Sequence, residues 1–184
     1  MEARDRNGLT EREFLAAYAK KSYPRPYLTA DLVLIASDPL SVLLIRRGGH
    51  PCLGTWAIPG GFVEPTESAF DAALRELKEE TGVDASADAV HEIGLFSKPG
   101  RDPRGWVVTD AYWTAVRRED VHVKANDDAA DAQWFSVTVQ PDGTLLLQSD
   151  AEQVAEDELA FDHGEILKRA LKLREWQSAG PLQK

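Results

Sequence analysis

The chain has 184 residues, of which 43% are hydrophobic, and its 21 lysines and arginines face 31 aspartates and glutamates, a net charge of −10. This length predicts a single domain over residues 1–184, and a lone cysteine, Cys52, excludes a disulfide framework and a cysteine-based zinc site. The acidic balance argues against a nucleic acid as partner, and the sequence shows neither a membrane-length apolar run nor a signal-like N-terminus, so a cytoplasmic protein is expected.

The first predicted element is a short amphipathic helix. Thr10 and Glu13 have the spacing of a capping box, and an apolar stripe follows them. The pattern predicts a helix over about residues 10–21, which ends before Pro24 because proline disfavours helical backbone at the preceding residue.

Strands are predicted wherever β-branched and apolar residues are concentrated between turn signals. A loop rich in glycine and proline runs from 48 to 61, the acidic stretch 150–162 is expected to be loop or frayed helix, and a last amphipathic helix is predicted over about 164–177. Strands and helices do not alternate regularly, which favours a mixed sheet flanked by helices. The predicted strands are 28–36, 42–46, 56–58, 92–97, 106–116 and 133–137.

The strongest helix prediction covers residues 66–81, which contain no glycine or proline, have start signals at Thr66 and Ser68, and stop at Gly82. Acidic residues are concentrated around this helix. Between 64 and 82 six acids face two bases, so −6 + 2 = −4 of the −10 lies in this stretch. The six acids are Glu64, Glu67, Asp71, Glu76, Glu79 and Glu80.

Three of these acids lie within one helical turn. A helical projection places Glu76 and Glu80 at the border of the core-facing stripe and Glu79 towards the polar side. Like charges four residues apart repel each other on a helix, so an ordinary solvated acidic face is a poor explanation. Oxygen ligands grouped behind a Gly-Gly turn suit a hard divalent cation such as Mg²⁺.

At this point the sequence resembles a known family. Gly61, Glu67 and the run Arg75-Glu-Leu-Lys-Glu-Glu-Thr-Gly-Val83 have the spacing of the Nudix box. The resemblance implies an α/β fold, the Nudix-type α/β/α sandwich around a mixed β-sheet. It also implies Mg²⁺-dependent hydrolysis of a nucleoside diphosphate derivative, with Mn²⁺ as a substitute cation.

Roles for the box residues follow from the same resemblance. Arg75 resembles a residue that orients a neighbouring glutamate, and on a helix it can reach Asp71 and Glu79. Glu67 resembles a glutamate that supports the loop and the metal site. The implied metal ligands are the side chains of Glu76, Glu79 and Glu80 and the backbone carbonyl of Gly60.

The carboxylate that removes a proton from water is left open by the sequence. Some Nudix enzymes use a box glutamate, which here means Glu76 or Glu79, and others use an acid on a distant loop. Gln133 stands where such an acid would precede the tryptophan, so Asp127 or Asp128 is the candidate in this chain. A solvated Asx-rich turn is the structural alternative for this segment.

Outside the box, segments 23–26, 29–33, 100–105 and 159–163 resemble the ADP-ribose pyrophosphatase branch. That resemblance implies a nucleotide-sugar substrate, ADP-ribose, which yields AMP and ribose 5-phosphate, and it implies a homodimer. Arginines near the Gly-rich loop can pair with a diphosphate, although a solvated strand end or a capped turn explains them equally. The candidate substrate-binding residues are Arg46, Arg47, Gly61, Phe62, Arg101 and Arg104.

Two alternatives stay open. The first keeps the chemistry and changes the substrate to an oxidised nucleoside triphosphate. The second is a non-catalytic ADP-ribose sensor, which would need a basic DNA-binding module, and residues 159–184 are expected to be too short for one. His163 is a further candidate for a residue near the site, and this prediction rests only on its position in the terminal segment.

Overall fold

The computed structural model describes residues 2–121, 123 and 129–178, without the side chains of 129–130 and 176–178. The twelve helices and strands of this part of the chain are α1 (Glu11–Tyr18), β1 (Tyr27–Ser37), β2 (Leu40–Arg47), β3 (Trp56–Ala57), β4 (Gly60–Phe62), α2 (Ala69–Thr81), β5 (Val90–Phe96), β6 (Val107–Val116), β7 (Ala129–Val139), β8 (Leu145–Gln148), β9 (Gln153–Ala155) and α3 (His163–Ser178). Across these described residues, no helix is long and apolar enough to cross a membrane.

The strands form one mixed sheet in the order β5-β6-β1-β2-β7-β8-β9, with β3 paired to β2 and β4 paired to β1. β1 and β6 run parallel, and the other pairs are antiparallel. The predicted mixed sheet is confirmed. Its central strand β1 carries β4, the glycine-containing strand, beside α2.

Alternate residues of β1 face opposite sides of the sheet, as the period of a strand requires. Leu32 and Leu34 pack in one core with α2, and Val33 and Ile35 pack in another with α3. The two long helices therefore cover the two faces of the sheet. This arrangement confirms the α/β/α sandwich, and it assigns Asp31, which lies between Ala30 and Leu32, to the α3 side.

Capping boxes and a C-terminal glycine, the kinds of signal on which the sequence analysis relied, mark the helix ends. Some observed ends differ from the predicted ones by a few residues. Thr10 and Glu13 form the expected capping box, but α1 ends at Tyr18. α2 begins at Ala69, three residues after the first predicted start, because Ser68 and Asp71 form a capping box there. Gly82 ends α2 in the left-handed conformation at φ 72°, which favours glycine.

Three short strands escaped the sequence analysis. β4 contains two glycines, which weaken a strand, and it exists because β1 supplies a pairing edge. β8 is only four residues long. The acidic stretch 150–162, expected to be loop or frayed helix, contains β9 and a single 3₁₀ turn at 156–158, so that expectation was wrong in part.

Candidate functional site

The Gly-Gly turn lies in close contact with acidic side chains. A Cβ atom added to Gly61 would lie 2.2 Å from Glu76 Oε1, and one added to Gly60 would lie 2.3 Å from Asp31 Oδ1. These distances are far below van der Waals contact, so the chain can approach the carboxylates here only without a side chain. Both glycines therefore serve the packing of the site.

Arg75 lies at the centre of the acidic residues of α2 and its loop. Its Nε and Nη2 donate to the carboxylate of Glu67 at 3.1 and 2.7 Å, and its Nη1 donates to Glu76 at 2.8 Å and Glu79 at 2.9 Å. Of the two acids that Arg75 can reach on the helix, it pairs with Glu79. The Asp71 carboxylate instead accepts hydrogen bonds from the N–H and the hydroxyl of Ser68 at the start of α2.

These contacts and burial shift the ionisation of the site. Hydrogen bonds from Arg75 lower the pKa of Glu67 to about 2. Burial raises the pKa of Glu80 to about 8, although its Oε2 accepts a hydrogen bond from the Gly60 N–H at 3.0 Å, and nearby carboxylates add to the shift. Burial also raises the pKa of Glu76, against the opposing effect of Arg75. The buried end of this cluster thus favours either a proton or an added cation.

The donor atoms around Glu80 are of the type that a hard divalent cation prefers. Glu80 is only 8% exposed, and its carboxylate lies beside Glu76 and the Gly60 backbone. Oxygen atoms are the ligands that Mg²⁺ prefers, and a bound cation would replace the proton on Glu80. Among the described residues, no group of three or more histidine, cysteine, aspartate or glutamate side chains is arranged to hold a metal ion. Glu76 and Glu79 both pair with Arg75 instead, and the four predicted metal ligands stay predictions.

The lining of a cleft of about 760 Å³ has two chemically different parts, the carboxylates of Glu76 and Glu80 and the guanidinium groups of Arg47 and Arg104. The two parts are close to each other, because Arg47 opposes the rise in the pKa of Glu80. Its volume lies within the range of roughly 300–1,000 Å³ typical of small-molecule sites. We call these two parts the acidic end and the basic end of the cleft.

Two predicted substrate residues, Arg104 and Phe62, are in contact at the basic end. The Arg104 guanidinium forms a bidentate pair with Asp102, with N–O distances of 3.0 and 2.6 Å. Its carbon lies 4.7 Å from the centre of the Phe62 ring. Asp102 is buried, and it was not singled out from the sequence. Arg47 donates from Nε to the Pro51 carbonyl at 2.9 Å, which fixes its direction.

The other two predicted arginines have different positions. Arg46 donates to the Gly54 carbonyl at 3.0 Å and lies over the Trp56 ring, and it does not line the cleft. The Arg101 side chain is only 3% exposed and forms a bidentate ion pair with Asp162, at 2.9 and 2.6 Å. Arg101 thus joins the loop before β6 to the segment before α3.

A buried polar group beneath the Gly-Gly turn was largely missed by the sequence analysis. Asp31 accepts a hydrogen bond from Thr109 Oγ1 at 2.5 Å, and its other oxygen lies 3.8 Å from His163 Nε2. His163 Nδ1 accepts a hydrogen bond from the Ile58 N–H at 2.9 Å, and burial lowers the pKa of His163. The available signal was Asp31 itself, a charged residue within an apolar strand.

The candidate bases Asp127 and Asp128 lie outside the described residues. Gln133, at the position where relatives are expected to have an acid, donates to Asp131 at 2.5 Å. Asp128, Glu76 and Glu79 stay predictions for the general base.

Comparison with known proteins agrees with this geometry. Residues 26–163 match the family model of the NUDIX domain. The chain is 34% identical over 146 residues to an ADP-ribose pyrophosphatase of Methanocaldococcus jannaschii, covering 79% of this chain and 73% of that protein. It is also 32% identical over 168 residues to an ADPR-responsive transcriptional repressor of Acinetobacter baylyi, covering 89% of this chain and 60% of the repressor.

A solved structure shows the same fold with a ligand. The NUDIX domain of NrtR from Shewanella oneidensis, complexed with ADP ribose, superimposes with a TM-score of 0.70 at 28% identity, covering 90% of this chain and 99% of that domain. The family match extends over most of the chain and includes the glycines, glutamates and arginine described above. The chain belongs to the Nudix family.

Proposed function

We propose that the protein hydrolyses the pyrophosphate bond of ADP-ribose, giving AMP and ribose 5-phosphate. The observation that carries this proposal is a single cleft lined both by Glu76 and Glu80 and by Arg47 and Arg104. A diphosphate carries negative charge on both of its phosphates, and the cleft offers arginines and carboxylates suited to a metal to offset that charge. The named pyrophosphatase relative and the ADP-ribose complex of the Shewanella domain support this choice of substrate.

The catalytic groups of the proposal are those of the acidic end. Mg²⁺ held by the Glu76, Glu79 and Glu80 side chains and the Gly60 carbonyl would neutralise phosphate charge and lower the pKa of a bound water. Arg75 fixes the glutamates around it, and Glu67 holds Arg75 through two hydrogen bonds. A carboxylate takes a proton from the attacking water, and Asp128, Glu76 and Glu79 are the candidates.

The substrate-binding part of the proposal uses the basic end. Arg47 and Arg104 pair with the diphosphate, and the Gly61 backbone and the exposed Phe62 ring line the same cleft. The water oxygen bonds to one phosphorus, the bond from that phosphorus to the bridging oxygen breaks, and the second phosphate leaves with that oxygen. We leave Arg46 and Arg101 out of this set because neither side chain lines the cleft.

A sensor of ADP-ribose is the second candidate, and one observation favours it. The Acinetobacter relative is named a transcriptional repressor, and this chain spans about 60% of its length. A sensor would bind the same ligand in the same cleft without turnover. Hydrolysis is the better supported function, because the acidic end carries the complete set of box acids, which ligand binding alone does not require.

A substrate panel with product identification separates these functions. The chain is incubated with ADP-ribose, NADH, a sugar nucleotide and 8-oxo-dGTP, with and without Mg²⁺, and products are identified by chromatography and mass spectrometry. We expect the highest kcat/KM for ADP-ribose, with AMP and ribose 5-phosphate formed in equal amounts only with the metal. Preference for 8-oxo-dGTP would support the triphosphate alternative, and binding of ADP-ribose without turnover would support the sensor.

A further inference from the structure

Three consecutive side chains just before and at the start of α3 contact three different segments of the chain near the cleft. Phe161 contacts the guanidinium groups of both cleft arginines, Arg47 and Arg104. Asp162 pairs with the buried Arg101, and His163 accepts the Ile58 N–H. One short segment thus connects β2, the loop before β6 and the residue Ile58, which lies just before the Gly-Gly turn.

The backbone at Phe161 is in an unusual conformation. Its φ is 54°, in the left-handed region where an aromatic residue is an outlier. Contacts on both sides hold it there, since the Ala160 N–H donates to the Trp56 carbonyl at 2.8 Å and the two following side chains are anchored. A strained residue persists when its surroundings determine it, and such residues cluster at ligand sites.

This conformation places the Phe161 ring beside two positive charges. The guanidinium carbons of Arg47 and Arg104 lie 5.0 and 5.5 Å from the ring centre, and the second also contacts Phe62 at 4.7 Å. The face of an aromatic ring attracts a guanidinium group within about 6 Å. The ring therefore offers each arginine a favourable contact, whereas the two cations alone would repel each other.

We propose that Phe161 is a positioning residue that fixes the spacing of Arg47 and Arg104 for a substrate diphosphate. The inference rests on the proposed function for the identity of the substrate. Phe161 acts through the arginines, so its loss changes substrate binding, while the acidic end and the chemical step stay intact.

The test uses Phe161→Leu, which keeps an apolar side chain and the same constraint on φ but removes the aromatic face. We expect KM for ADP-ribose to rise about tenfold with kcat within about twofold of the original, since two cation–π contacts to partly exposed arginines together have an effect of about this size. Phe161→Tyr keeps the ring and should restore KM. Phe96→Leu is the matched control, because Phe96 also contacts a guanidinium group, that of Arg169 at 5.7 Å, outside the cleft.

Two further measurements show whether Phe161 acts through the arginines. A double variant, Phe161→Leu with Arg104→Gln, should raise KM by much less than the product of the two single effects. Full multiplication of the two effects, or an unchanged KM in Phe161→Leu, would overturn the inference. Thermal unfolding of each variant shows whether a rise in KM comes from a damaged fold.

Calorimetry with ADP-ribose distinguishes this inference from the proposed function. If the original chain binds ADP-ribose without turnover, the function fails, and about tenfold weaker binding by Phe161→Leu still supports the positioning role. If the original chain hydrolyses ADP-ribose and Phe161→Leu matches it in KM and affinity, the inference alone fails. A chain that neither binds nor hydrolyses ADP-ribose contradicts both.

Discussion

The two ends of the cleft are built in different ways. The acidic end comes from one helix and the loop before it. There the single guanidinium group of Arg75 pairs with Glu67, Glu76 and Glu79, and Glu80 is buried beside them. The basic end is assembled from distant segments, and Asp102 neutralises the charge of Arg104. The difference lies in the charge balance: the acidic end has an excess of negative charge that a cation would offset, whereas the basic end has its own counter-ion.

The segment before α3 connects the two ends. His163 lies beside Asp31, over which the Gly60 backbone passes, and its neighbour Phe161 contacts both cleft arginines. A change at Phe161 should therefore affect the basic end, whereas a change at His163 should affect the acidic end through the Gly-Gly turn. Predictions that separate the ends follow, from the largest expected effect to the smallest.

The largest expected effect is on the buried ion pair behind the basic end. Arg101→Met leaves the Asp162 carboxylate without its partner, and we expect a loss of about 3–5 kcal/mol in the free energy of unfolding, measured with urea. The control Arg101→Met with Asp162→Asn removes both charges and should recover much of this loss. If Arg101→Met alone is as stable as the original chain, the ion pair between Arg101 and Asp162 does not stabilise the loop before β6.

At the acidic end, Gly61→Ala tests the close approach of the turn to Glu76. The new Cβ would lie 2.2 Å from the Glu76 carboxylate, so that side chain must move, and we expect a loss of stability of about 1–3 kcal/mol together with reduced turnover. Gly49→Ala is the matched control, because a Cβ there has no atom within 4 Å. Equal effects of the two substitutions would argue against a constrained turn.

The smallest expected effect is the pH dependence of the segment that joins the ends. His163 is buried near Asp31, Asp162, Arg101 and Arg47, and its pKa is lowered from the ordinary value of 6.5. The unfolded chain therefore binds a proton below about pH 6.5 that the folded chain resists, so stability decreases as the pH falls from 7 to 5. The slope from this group is at most about 1.4 kcal/mol per pH unit.

His163→Asn provides the control for this pH effect. The asparagine side chain can still accept the Ile58 N–H but does not titrate, so the difference in stability between the two chains should depend on pH in the stated direction. The measurement is urea unfolding at several pH values without added metal. A pH-independent difference would show that His163 is protonated as readily in the folded chain as in the unfolded one.

The sequence predicts the acidic end well because its residues are close together in the chain. Helical spacing brings Arg75 and Glu79 into contact, and the same spacing places Glu76 and Glu80 at the border of the core. The side-chain partners of Arg104 are harder to predict. Phe161 lies 57 residues further along the chain (161 − 104 = 57), and its role depends on a backbone conformation that no local pattern indicates.

The strands show the same limit of sequence-based prediction, because some of them depend on partners far away in the chain. Long apolar strands such as β1 and β6 were predicted to within a residue or two, because burial on both faces requires a continuous apolar run. β4 was missed because it forms through pairing with β1 rather than through the preference of its glycines. Arg46 and Arg47 are neighbours in the sequence, yet only Arg47 lines the cleft.

The central claim is that the acidic end hydrolyses the substrate through a bound divalent cation. The most direct test is the rate of AMP release from ADP-ribose during a Mg²⁺ titration of Glu79→Gln with Glu80→Gln. A second double variant, Glu11→Gln with Glu92→Gln, removes the same charge from exposed positions outside the cleft.

We expect kcat/KM of the first variant to fall by roughly 10²–10³-fold or more, because charge stabilisation of the transition state is lost. Its thermal stability should be maintained, because the buried Glu80 carboxyl is replaced by a neutral amide. The second variant should keep the activity and the Mg²⁺ dependence of the original chain. Unchanged Mg²⁺-dependent turnover in Glu79→Gln with Glu80→Gln would contradict the account.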